Sequence, residues 1–235
     1  MRLKDIPLLI ICTLILSNAA TQVSDDEIRL LKQLDSIARS SSEASHFARL
    51  YSETTAEAVL FFRKAEKKEK DFIRRLELTF ADYFFRAVKA NQQGKVIPAV
   101  WQMYFSDSSL KPLQYELLSI NAHINGDIWQ ALTAEFTLTE IRENRRTYLH
   151  FQKGLNKIYN RFYSRANSAS QKTRMLQGLS LGFDRFYGRV MLIRWRKRQY
   201  RLATIWFTRP DEFNKKIRAL DRKMNRINQL ILRLR

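Results

Sequence analysis

Leu117-Leu118-Ser119-Ile120-Asn121-Ala122-His123-Ile124-Asn125-Gly126-Asp127-Ile128-Trp129-Gln130-Ala131-Leu132 is the stretch from which the rest of the chain is read. Its apolar residues recur at helical spacing, and Pro112 stands ahead of it where a helix can open. The segment therefore predicts a buried central helix from Pro112 to about Leu132. Asn121, His123, Asn125 and Asp127 then lie in or beside a core. A buried polar group without a partner costs roughly 1–3 kcal/mol, so these residues form either a hydrogen-bonding hub or a place for chemistry.

A uniform helix advances by about 100° per residue, which separates the four into two pairs. Asn121 and Asn125, at about 0° and 40°, fall inside the apolar arc, while His123 and Asp127, at about 200° and 240°, fall at its edge. The asparagines read as a structural polar hub, anchoring a neighbouring helix through amide donors and acceptors. His123 and Asp127, one turn apart, read as the candidate catalytic pair, with the carboxylate fixing the tautomer and raising the basicity of an imidazole base. The same two residues could together hold a divalent metal. That needs at least one more ligand, with Asp82, Glu135, Glu140 and Asp184 as candidates. Gly126 removes bulk beside Asp127, leaving room for a close helix crossing, a ligand or water. No glycine-framed serine elbow points to nucleophilic catalysis.

Helical patterns continue on both sides of this segment. Ser24-Asp25-Asp26-Glu27 has the capping-box form, and Ile28, Leu31, Leu34 and Ile37 mark the face of the helix it opens. After the Ser40-Ser41-Ser42 break a second helix is expected from His46 to Lys70. From Asp71, Phe72, Ile73, Leu76, Phe80, Phe84 and Val88 predict a third, stopped by Gly94. A short segment from Ile97 to Phe105 has Pro98 in its first turn and Trp101 at its centre. Helices are expected over about Thr139–Arg165 and Ser170–Phe207, the second with a break or close packing near Gly182. After Pro210, Phe213, Ile217, Leu220, Met224, Ile227, Ile231 and Leu234 form a heptad seam, expected to face the bundle rather than a second copy. No stretch alternates as a strand does. The fold class is all-α: a multi-helix bundle of about seven to eight helices, forming one domain over residues 21–235.

At the N-terminus, Arg2 and Lys4, the apolar run Ile6–Leu16 and small residues at Ser17, Ala19 and Ala20 have the layout of a signal peptide over residues 1–20. Export, to a periplasm or the medium, is the expectation. Cys12, the single cysteine, lies within that run, so a processed chain excludes disulfides, thiolate metal sites and cysteine nucleophiles.

Charge divides the chain. Residues 20–140 carry 15 Lys and Arg against 17 Asp and Glu, a net of −2; residues 141–235 carry 25 against 5, a net of +20. Arg194, Arg196, Lys197, Arg198 and Arg201, interleaved with Trp195 and Tyr200, form the densest cluster. They are a candidate anion-binding patch for anionic lipid or another polyanion. Export makes nucleic acid the less expected partner. The competing reading is a solvated helix face with Trp195 and Tyr200 turned inward. A third reading is a structural or interaction protein, whose seam docks a partner; a monomer is the expectation.

The central stretch resembles the hallmark Asn-Ala-His-Ile-Asn-x-Asp-Leu of a bacterial family of unknown function, with Ile128 where that family usually has leucine. Phe47-Ala48-Arg49-Leu50-Tyr51 with Thr55, Phe80-Ala81-Asp82-Tyr83, and Pro98 with Trp101 extend the resemblance over about residues 45–135. It implies a helical domain with its site at the central motif, and it brings no activity. Gly126 stands where the family is expected to carry a larger, often aromatic, residue.

Overall fold

A computed structural model describes residues 24–62, 65–154 and 183–234, and among them every regular element is a helix. The expected signal peptide, the end of the helix expected to reach Arg165, and the expected break near Gly182 all lie outside the described residues.

Helix α1 (Asp25–Ala38) begins as its capping box requires: Glu27 N–H donates to Ser24 Oγ, and Ser24 N–H donates to the Glu27 carboxylate. It packs on α2 (Ala44–Phe62), which ends before the expected Lys70. The charged run after it breaks, and α3 (Lys67–Gln92) starts with Glu66 as its cap. Phe72, Ile73, Leu76, Phe80, Phe84 and Val88 are buried along α3, the face their spacing predicts. Gly94 follows with φ +60, the left-handed conformation that lets Lys95 N–H reach back to Ala90 O.

The one-turn α4 (Ala99–Gln102) sets Trp101 in the core. Helix α5 (Pro112–Ala122) leads into a π-helical turn, His123–Asp127, from which α6 (Ile128–Glu135) continues. The expected uninterrupted helix from Pro112 to Leu132 is thus split by one wide turn. The helix expected from Thr139 is also divided, into α7 (Leu138–Glu143) and α8 (Arg145–Gly154), with Asn144 between them. Helix α9 (Phe183–Thr208) and α10 (Pro210–Leu232) form the closing hairpin.

The π-turn sits at the centre, touching α3, α4 and α9 as well as the helices it joins. Helix α10 packs on α5 and α9, so the heptad seam faces inward. Phe213, Leu220, Met224 and Ile231 are buried, and Leu234 is exposed. The seam is also pinned by polar bonds: Gln114 Nε2 donates to Ile231 O and Leu232 O at 3.3 and 3.2 Å.

Candidate functional site

The local sequence explains why the central helix can open at His123. Gly126 removes a side chain where α4 crosses, and a Cβ there would lie 2.7 Å from Val100 Cγ1. The space left by this glycine is therefore filled by a helix crossing, not by a ligand. The Gly126 carbonyl accepts a bond from Gln130 Nε2 at 2.8 Å. A π-turn carries one residue more than an α-turn, and such turns are often found at functional positions. The wider turn also changes where side chains point. His123 and Asp127 are not at the edge of the apolar arc, as a uniform 100° advance places them. Their side chains are only 4% and 1% exposed.

His123 lies among aromatic rings. It stacks on Phe80 with centroids 3.4 Å apart, and meets Tyr51 and Phe47 edge-on at 4.7 and 5.0 Å. Its Nδ1 is 2.9 Å from Asp127 Oδ2, and Trp101 Nε1 donates to the same oxygen at 3.0 Å. Oδ2 thus lies between two ring nitrogens, which fits the tautomer in which Nδ1 carries the proton and donates. The lone pair is then on Nε2, which has no hydrogen-bond partner among the described residues. Burial holds the imidazole well below the usual histidine range, and the positive charge of Arg196 pushes the same way. The expected carboxylate-driven gain in basicity is outweighed. Burial also raises the Asp127 carboxyl well above the usual carboxylate range, opposed by the Trp101 bond.

The asparagines link the π-turn to a neighbouring helix. Asn121 Nδ2 donates to Met224 O at 3.1 Å and Asn228 Oδ1 at 2.7 Å, and Asn125 Nδ2 donates to Asn121 Oδ1 at 2.9 Å. The relay ties the π-turn to α10. Asn125 Oδ1 has no hydrogen-bond partner among the described residues.

Further polar groups that the sequence did not single out as site residues are buried where α2, α3, α8, α9 and the π-turn meet. Tyr51 OH, Thr55 Oγ1, Glu77 Oε2 and both amide atoms of Gln199, like Asp127 Oδ1, are buried without a hydrogen bond among the described residues. Such atoms are uncommon in a folded protein, and each calls for a polar guest or a role. Burial pushes the Glu77 carboxyl up to about 7, with Arg196 opposing. Tyr51 and Thr55, one turn apart on α2, were visible only through the family resemblance; Glu77 and Gln199 carried no local signal.

Arg196 corrects the anion-patch reading. Arg194, Lys197 and Arg201 are exposed and Arg198 is partly so, but Arg196 is turned toward the interior. Its charge acts on His123, Glu77 and Tyr148, and burial lowers its own pKa. Trp195 is buried, and Tyr200 donates from its hydroxyl to Ile141 O at 3.0 Å, so both aromatics face inward.

The supplementary metal ligands do not converge on His123. Glu135 and Glu140 bind Arg75 at 2.8 and 3.1 Å, and Asp82 pairs with Arg86. The Asp184 side chain lies outside the described residues. Among the described residues no three of His, Cys, Asp and Glu are grouped to hold a metal.

Fold and site together define a class: an all-α protein with a preorganised histidine–carboxylate pair at its centre. The chain belongs to the family of unknown function DUF5995, whose model matches residues 25–234. The match runs well beyond the residues that carry the resemblance in sequence. No curated protein and no solved structure matches the chain.

Proposed function

We propose that this protein is an exported enzyme of hydrolase type, with His123 as its general base and Asp127 as the residue that orients it. One observation carries the reading: Nδ1 is engaged by Asp127 while the buried Nε2 has no hydrogen-bond partner among the described residues. A purely structural histidine has no need for that arrangement. The lowered pKa of the imidazole keeps it neutral at physiological pH, so Nε2 is ready to take a proton from water or a substrate hydroxyl. Asp127 Oδ2 then faces the imidazolium that forms. Tyr51, Thr55, Asn125 and Gln199 supply the donors and acceptors that would hold the reacting group. A divalent metal on His123 Nε2 would need its remaining ligands from water or substrate, because Asp127 lies against Nδ1 on the other side of the ring and could only orient it.

The test has a structural and a kinetic arm. Long-range 15N–1H spectra, with His123→Gln identifying the signal, should give a neutral His123 protonated on Nδ1 at pH 6. Against a panel of aryl esters, phosphoesters and amides, His123→Gln should lower turnover by about 10²-fold or more. An Nε2-protonated ring, or turnover unchanged in the folded variant, would overturn the proposal.

A further inference from the structure

Three cations of the anticipated patch, Lys197, Arg198 and Arg201, join cations of α8 and α10 on one surface. Arg198, Arg201, Lys216 and Lys223 line a cleft of about 290 Å³ between α9 and α10, with Leu202 and Leu220 as part of its floor. On the other side of Arg201, a cleft of about 380 Å³ between α8 and α9 is lined by Arg145, Lys197 and Arg209, with Leu149 and Ile205 beneath. No carboxylate lines either cleft. Glu212 pairs with Arg209 and Lys216, but among the described residues Arg145, Lys197, Arg198, Arg201 and Lys223 make no ion pair. Unneutralised cations over apolar floors are suited to a ligand with both a negative charge and aliphatic chains.

Two aromatic side chains stand at the end of the same hairpin. Trp206 and Phe207 are 47% and 40% exposed, just before the α9–α10 connection. Trp206 lies one turn beyond Leu202, on the side of α9 that lines the α9/α10 cleft. Indole and phenyl rings beside a ring of cations are the composition favoured at a membrane interface, where cations meet headgroup phosphates and the rings enter the acyl boundary. Among the described residues no helix is long and apolar enough to cross a membrane.

We propose that the face formed by α8, α9 and α10 docks on an anionic phospholipid bilayer. Arg145, Lys197, Arg198, Arg201 and Lys223 engage headgroup phosphates, and Trp206 and Phe207 enter the interface. The apolar cleft floors favour this occupant over nucleic acid, which offers phosphates but no aliphatic chains. The surface is separate from His123 and does not depend on the proposed chemistry.

The full chain would be sedimented with vesicles of phosphatidylcholine alone, and with vesicles containing phosphatidylglycerol. A labelled double-stranded oligonucleotide provides the competing polyanion. Binding is expected only with phosphatidylglycerol, weakening as salt rises. Arg201→Glu with Lys223→Glu should reduce partitioning by about tenfold or more. Lys32→Glu with Lys95→Glu alters the net charge equally at exposed positions elsewhere and should leave most of the binding. Circular dichroism establishes that both variants are folded, and Phe207→Ser should weaken partitioning without changing its salt dependence. Equal binding to neutral vesicles, equal loss in the two double variants, or oligonucleotide binding tighter than vesicle binding would each overturn the proposal.

Discussion

Two buried residues respond to pH in opposite directions. Glu77 is raised from 4.5 to about 7 by burial, so the folded protein binds its proton more tightly than the unfolded chain does. Its contribution to stability is complete below pH 4.5 and is lost as pH rises through about 7. His123 is shifted below 6.5, so acidification through 6.5 favours the unfolded chain, which takes up the proton first. Glu77→Gln should therefore flatten the loss of stability between pH 5 and 8, gaining roughly 3 kcal/mol at pH 8. The slope that remains would be that of the His123–Asp127 pair, whose two shifts act in opposite directions. Urea titrations across this range measure both slopes. Trp101→Phe removes one of the two N–H groups at Asp127 Oδ2 and should cost about 1–3 kcal/mol in the same assay.

For the individual elements, the π-turn depends on its crossing with α4. A Cβ on Gly126 would meet both Val100 Cβ and Cγ1 at less than 3 Å. Gly126→Ala should destabilise the protein by about 1–3 kcal/mol through overpacking. Adding Val100→Ala should cost less than the sum of the single changes, because it removes the Cγ1 and Cγ2 part of the clash while the contact with Cβ remains. Denaturant midpoints of the four proteins give the coupling. On α10, Asn228→Ala leaves the Asn121 amide with only Met224 O and should cost about 1–3 kcal/mol.

These elements also explain what the sequence could and could not convey. The Ser24 capping box, the Gly94 stop and the α10 seam are local patterns, and each occupies its expected place. The contact between His123 and Asp127 follows from a four-residue spacing that both α- and π-turns tolerate. The π-turn itself has no periodic signature, since one extra residue leaves the composition unchanged while rotating every later side chain. Long-range partners were equally silent: Trp101 reaches Asp127 across 26 positions, and Arg196 turns inward toward groups on other helices.

For the whole molecule, charge is the dominant feature. A net formal charge of +19, concentrated after residue 140, makes the folded chain repel itself. Raising ionic strength from about 0.01 M to 0.15 M shortens the screening length from about 30 Å to about 8 Å. The thermal midpoint should rise over that interval, and differential scanning calorimetry would show it. Once salt saturates the effect, the remaining stability belongs to the core around Trp101, Phe84 and Leu132.

The asparagine relay from Asn125 through Asn121 to Met224 and Asn228 has a consequence in time. The groups that hold the outer side of the π-turn lie on α10, which is synthesised after every other described helix. Until that helix has left the ribosome, the Asn121 amide lacks both of its α10 acceptors. The asparagine side of the π-turn can therefore reach its final setting only once α10 has emerged, and a chain ended before Pro210 would lack both of those acceptors.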